Sequence, residues 1–203
     1  MLTNRLDNLA LTAAKEIHRL LDLSTLEHYT SFLNTMYHYT LHSGDQLSIA
    51  GELLSDHPKY STLFKTLSTE EESHYRLAQK DLFFFNEKPT DSMPLPVLRM
   101  EAFWKSIKKP ESLSYIGIMY ILENIAKHID TAKIADFFTR LQLNKKNTRF
   151  ISVHLHEDDR HGKLLELACQ SVTNPSEIDL ILSAGQKACS LWMDMHSSIL
   201  TKE

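Results

Sequence analysis

Between residues 146 and 171 the chain places Ile151, His154, Asp158, His161, Leu165 and Ala168 at steps of four, four, three, four and three. At about 100° per residue these six positions share one stripe of an α-helix, and the stripe begins and ends on apolar residues. Such a stripe faces a core, so His154, Asp158 and His161 are carried inward with it. A buried carboxylate beside two imidazoles is strongly unfavourable unless it is paired or bound to a metal ion. The chain is therefore expected to fold as a helical body that compensates these groups from within. His156 and Asp159 fall off the stripe and are expected on the outer surface, with Glu157 at its border. The competing reading is a solvated face rich in His, Asp and Glu.

The rest of the chain agrees with an all-α fold. Five glycines and six prolines in 203 residues leave few turns, and no alternating strand pattern is visible. A first helix is predicted over about 4–22. Ser24 with Glu27 forms a capping box for a second, which runs to about Leu41 and ends at His42–Asp45 with Gly44. A short helix at about 46–54 precedes Asp56-His57-Pro58, which opens a long helix to about Phe84. Asn86 to Pro96 is the main loop. Helices at about 97–107, 112–129, 131–142, 146–171 and 177–200 follow, with breaks at Pro110 and at Asn174-Pro175-Ser176, where Ser176 is the expected cap. The length suits one domain spanning 1–203.

Charge and cysteine usage remove several classes of function. The net charge is −4 and the basic residues are scattered, so nucleic acid is not an expected partner. No run approaches the ~18 apolar residues of a membrane span. Asp7 and Glu16 interrupt the N-terminal stretch where a signal peptide needs an apolar run, so it reads as mature sequence. Cys169 and Cys189 lack metal-site or redox spacing, which points to a reducing, cytoplasmic location. A homodimer is compatible with this composition.

Two further helices repeat the inward-facing chemistry. Phe64, Leu67, Glu71, His74, Ala78 and Asp81 form a second stripe, with Glu71 and His74 at the i, i+3 spacing that converges a carboxylate and an imidazole on one ion. The segment Ser114–Asp130 is apolar nearly all round, yet Glu123 stands on its stripe with Ile116, Met119, Tyr120 and Ala126. Three carboxylates (Glu71, Glu123, Asp158) and three imidazoles (His74, His154, His161) result. Hard oxygen with borderline nitrogen and no thiolate suits iron or manganese rather than structural zinc. Six side chains suit two ions with a bridging carboxylate. Two divalent ions against three carboxylates leave a net positive site, so the expected ligand is an anionic substrate or reduced oxygen.

The order Glu71-Glu72-Ser73-His74, then Glu123, then His154-Leu155-His156-Glu157-Asp158-Asp159-Arg160-His161 resembles the haem-oxygenase-like di-iron oxidases and oxygenases. These are relatives of haem oxygenase and of the TenA-type thiamin-salvage proteins, and the likeness extends over about residues 25–200. The resemblance implies a bundle of about seven to eight helices and two Fe(II) ions, manganese being the other candidate. It further implies O₂ as co-substrate and oxidation of a small molecule such as a fatty acid or amino acid. Some members space the first Glu and His by seven. Leu67 holds that position here, so the closer Glu71–His74 pair applies.

Other readings stay open. A ferritin-like di-iron bundle would need a further glutamate, such as Glu27, and leaves His154 without a role. A TenA-like hydrolase would need a nucleophilic cysteine, and haem oxygenase an early axial histidine such as His18 or His28. A non-enzymatic helical interaction protein is a further alternative. Glu71 and Glu123 are the expected catalytic carboxylates. Tyr120, one turn before Glu123, is the expected tyrosine near the reacting centre, with Tyr75 beside His74. Met36 and Tyr37 are expected in the core, His38 and His42 on the surface, and Trp104 and Trp192 as packing residues. Ile116, Met119 and Ile151 are the expected apolar walls.

Overall fold

The computed structural model describes residues 1–200, without the side chains of 156–159. Among the described residues the architecture is all-α, with no strand. The helices are α1 (Leu2–Leu23), α2 (Leu26–Thr40), α3 (Ser43–Leu53), α4 (Pro58–Glu71), α5 (Tyr75–Phe84), α6 (Leu95–Ser106), α7 (Ser114–Asn124), α8 (Thr131–Arg140), α9 (Arg149–Gln170) and α10 (Pro175–Ser197). Among the described residues no helix is long and apolar enough to cross a membrane.

α7 is the central element because its sequence leaves it no polar face: of its residues only Leu122 is not buried. It lies against α1, α9 and α10. Its crossing with α10 is close because Gly117 has no side chain; a Cβ there would sit 1.9 Å from the Ile181 carbonyl oxygen. α1 presents Leu6, Ala10, Ala13 and Ala14 to this centre, a small-residue face that lets it approach. A second cluster, with Tyr29, Leu33, Met36, Leu82, Phe137 and Phe150, joins α2, α5, α8 and the start of α9.

Local chemistry moves several predicted boundaries. The capping box of α2 is Thr25 with His28, not Ser24 with Glu27. The Thr25 hydroxyl accepts from the His28 N–H at 3.3 Å and the Thr25 N–H donates to His28 Nδ1 at 3.2 Å. Gly44 lies inside the first turn of α3 rather than in a loop. Asn174, not Ser176, caps α10, its Oδ1 accepting the Ser176 N–H at 3.0 Å. The helix expected to run unbroken to Phe84 is interrupted after Glu71. There the Glu71 carbonyl accepts the His74 N–H at 3.2 Å, an i+3 bond, and the Ser43 hydroxyl of α3 at 3.1 Å. The tightened turn and the outside donor end one helix and let the next begin on a new axis.

The start of α9 is fixed from outside. Thr148 gives it no side-chain cap. The fully buried Asp81 of α5 instead accepts the Phe150 N–H at 2.9 Å and Arg149 Nη1 at 3.1 Å. A carboxylate at a helix N-terminus satisfies an orphan donor and complements the helix dipole. The inward stripe of α5 therefore ends on a residue that holds α9 in register.

Candidate metal centre

Five of the predicted ligands converge between α4, α5, α7 and α9. Glu71 ends α4, His74 precedes α5, Glu123 stands near the end of α7, and His154 and His161 lie on α9. One potential ligand atom from each of Glu71, His74 and His154 forms a group within 4.8 Å, and Glu71, Glu123 and His161 form a second such group. Glu71 belongs to both. The sixth predicted ligand, Asp158, lies outside the described side chains.

Each contact has a local cause. The turn after Glu71 brings His74 Nδ1 to 2.6 Å from Glu71 Oε2. The His74 and His154 rings meet edge to face, with centroids 4.9 Å apart. His154 Nδ1 carries the proton, because it donates to the Phe150 carbonyl one turn back at 2.7 Å. Its Nε2 is thereby left as the lone-pair nitrogen. His161 reaches Glu123 because Gly162 lets α9 approach α7; a Cβ on Gly162 would lie 2.7 Å from Asn124 Oδ1. His161 Nδ1 then stands 3.1 Å from Glu123 Oε2 and 3.9 Å from Glu71 Oε1.

The opposite edge of His161 meets a residue that the sequence reading passed over. Glu70 Oε2 lies 2.8 Å from His161 Nε2 and 2.6 Å from Arg160 Nη2. Only the stretch of acids at 70–72 hinted at it, and helical periodicity places Glu70 off the inward stripe.

The electrostatics show what the site lacks. Burial, joined by the charge of Glu71, pushes the Glu123 carboxyl up against the pull of His161. Burial alone would lower His161, but hydrogen bonds and charge from Glu123 and Glu70 raise it to about 9. Without metal, a proton on His161 is thus the cation between two carboxylates. No lysine or arginine lines the cavity beside Glu71 and Glu123 among the described residues. Shared carboxylate oxygen, imidazole nitrogen and no thiolate fit iron or manganese. Cys169 and Cys189 are buried in the core elsewhere, Cys189 donating to the Leu9 carbonyl.

A cavity of about 230 Å³ opens onto Glu71, Glu123 and His154. Met119 and Ile151 line it as expected; Ile116 instead packs in the core. Tyr120 does not line it. It is buried, and the charges that push its phenol up after burial are those of Asp7 and Glu166. Tyr29 and Tyr39 of α2 both line the cavity, and Tyr39 is the one that feels the site carboxylates: its phenol is raised by burial and then by Glu123 and Glu71. Its ring stands edge-on to Trp192 at 5.5 Å, so Trp192 is cavity wall as well as packing. His38 departs from its expected surface position: it is buried, 3.2 Å from Thr90 Oγ1. His42 is exposed.

The residues of the rival readings are engaged otherwise. Glu27 is exposed on α2. Burial pushes the Cys169 thiol up to about 12, opposite to what a nucleophile needs. His18 Nε2 accepts the Asp130 N–H at 2.9 Å, and His28 is spent on its capping box.

An all-helical body with a buried, carboxylate-bridged imidazole site defines a class of metalloprotein whose donors suit redox iron. The chain belongs to the iron-containing redox enzyme family, whose model matches residues 30–193. Its fold is haem-oxygenase-like. A crystal structure of a domain of unknown function with that fold, from Shewanella denitrificans OS217, matches with a TM-score of 0.80, covering 98% of this chain and 89% of the other at 18% identity. No curated protein matches the chain.

Proposed function

We propose that this chain is a non-haem oxidoreductase that holds two Fe(II) ions and uses O₂ to oxidise a small organic molecule. The observation that carries the reading is the double membership of Glu71, which serves two adjacent ligand groups with one side chain. Glu71, His74 and His154 would hold one ion, and Glu71, Glu123 and His161 the other, with Asp158 expected to complete the set. Reduced iron with open coordination positions supplies the capacity to bind and reduce O₂.

The protein's own residues do the rest. Glu71 and Glu123 give the charge that retains divalent ions in a buried place. The Phe150 carbonyl fixes which nitrogen of His154 faces them. Met119, Leu122 and Ile151 keep water from the cavity floor and leave room for an organic substrate. Tyr39, held protonated by burial and by the charges of Glu123 and Glu71, is a proton-bearing side chain of the wall near both carboxylates.

Anaerobic titration with Fe(II) tests the reading, followed by stopped-flow mixing with O₂. Uptake of about two ions per chain and an O₂-dependent absorbance change are expected. A parallel Mn(II) titration identifies the preferred metal. A folded protein that takes up neither metal refutes the two-ion centre. A loaded protein that O₂ leaves unchanged for minutes refutes the oxidase.

A further inference from the structure

We infer that Gln46, Trp104 and Trp192 determine substrate specificity by donating hydrogen bonds to an acceptor oxygen of the bound molecule, an inference that rests on reading the cavity as the substrate chamber of the proposed iron site. All three residues line that cavity, from α3, α6 and α10. Gln46 Nε2, Trp104 Nε1 and Trp192 Nε1 are each buried, and among the described residues none has a hydrogen-bond partner.

Such groups are rare in a native fold, because a buried donor without an acceptor keeps the whole cost of its lost hydration. The hydroxyls of the same wall show the ordinary outcome. Ser24 donates to the Leu20 carbonyl at 2.7 Å, Tyr29 to that of Asn147 at 2.6 Å, and Thr40 to that of Met36 at 2.7 Å. Hydrocarbon side chains of similar size would fill the places of Gln46 and the two tryptophans with no N–H to satisfy. Their acceptor therefore comes from what the cavity binds.

The donors stand beside the metal ligands. Ser43, one turn before Gln46, donates to the Glu71 carbonyl at 3.1 Å. Trp192 meets the Tyr39 ring edge-on at 5.5 Å, and Tyr39 lies in the field of Glu123 and Glu71. α6, which carries Trp104, packs on α10. Leu21, Ile134 and Phe137 supply apolar wall from α1 and α8. Being neutral, the donors accept a carbonyl or a carboxylate oxygen alike, and a carboxylate draws its charge compensation from the ions. They select against a molecule that has no acceptor, and they fix which end of the substrate meets the ions.

Calorimetry under strictly anaerobic conditions tests this without turnover, on metal-free and on Fe(II)-loaded protein. The probes are acetophenone, benzoate and ethylbenzene, matched at about nine heavy atoms to a cavity that exceeds the ~150 Å³ needed by benzene. Ethylbenzene has no acceptor. Gln46→Leu, Trp104→Phe and Trp192→Phe should each weaken acetophenone about tenfold in both forms and leave ethylbenzene within about twofold. Several substitutions guard against one failing to fold. Parallel weakening of benzoate in the Fe(II)-loaded form supports a carboxylate as the oxygen held, and weakening of acetophenone alone a carbonyl. Equal loss of all three probes, or loss of none, overturns the inference. Loss of iron uptake by Gln46→Leu also overturns it, because Gln46 is then a metal ligand. Selective loss in a protein that takes up no iron supports the donors and overturns the iron reading alone. Iron uptake with O₂ consumption but no selective loss does the reverse.

Discussion

Removing the Glu70 carboxylate should weaken metal binding although Glu70 lies outside both ligand groups. In metal sites a histidine that donates its outer N–H to a carboxylate has its tautomer and ring orientation fixed. Glu70 Oε2 stands 2.8 Å from His161 Nε2, while Nδ1 of the same ring faces Glu123 and Glu71. A hydrogen bond to a charged group is worth roughly 1.5–3 kcal/mol when sheltered. His161 is sheltered at 1% side-chain exposure, but Glu70 at 30% and Arg160 at 61% are partly solvated, so screening lowers the figure. About 1–2 kcal/mol remains, or roughly 5–30-fold in metal affinity. The assay is competition against a chromophoric chelator under anaerobic conditions, with ¹⁵N spectra of the metal-free protein following the deprotonation of His161. Glu70→Ala should show both the affinity loss and deprotonation at lower pH, because Glu70 is one of the groups that raise His161. Glu70→Gln keeps an acceptor oxygen and should recover part of each. An alanine variant with wild-type affinity, beside a Glu123→Ala variant that binds no metal, refutes the reasoning.

Further outcomes are expected from the same geometry. His154→Ala and His161→Ala should lower metal occupancy to a similar extent, whereas Glu27→Ala should leave it unchanged; metal analysis of the purified variants decides. Gly162→Ala places a methyl group 2.7 Å from Asn124 Oδ1. Overpacking of this kind destabilises by about 1–3 kcal/mol, visible as a fall in melting temperature. His196 has a folded pKa of about 4, below its ordinary 6.5, so the unfolded chain binds the extra proton between those values. Its contribution to stability is present above pH 6.5 and is lost as pH falls towards 4, by about 3 kcal/mol in all. Denaturant titrations across this window should show a shallower acid loss for His196→Gln than for the natural chain.

What the sequence discloses is mainly what helical periodicity encodes. The stripe from Ile151 to Ala168 makes one face of α9 apolar at both ends, and Leu165 is indeed fully buried. Glu123 is conspicuous because little else in α7 is charged. Both signals come from burial, which a linear pattern reports well. Contacts between helices are another matter. Glu70 meets His161 only because α4 and α9 lie side by side, and nothing near Glu70 in the chain shows that. Tyr120 looked well placed by its one-turn distance from Glu123, but one turn carries it onto the part of α7 that faces α1 and the far end of α9. Tyr39 reaches the carboxylates from a helix that shares no motif with them. The break after Glu71 depends on the Ser43 hydroxyl from α3, a donor 28 residues away in sequence.

That break also bears on how such chains should be compared. Within a continuous helix the distance between a carboxylate and an imidazole is set by helical pitch, and inserting one residue swings the second about 100° away. Here Glu71 closes one helix and His74 precedes the next, so the pair is joined by a turn. Residues added or removed in a turn are absorbed there without rotating either helix. The three-residue spacing is consequently a property of this loop and not of the site. A search for relatives that demands it will pass over chains in which a longer connection brings the same two side chains together.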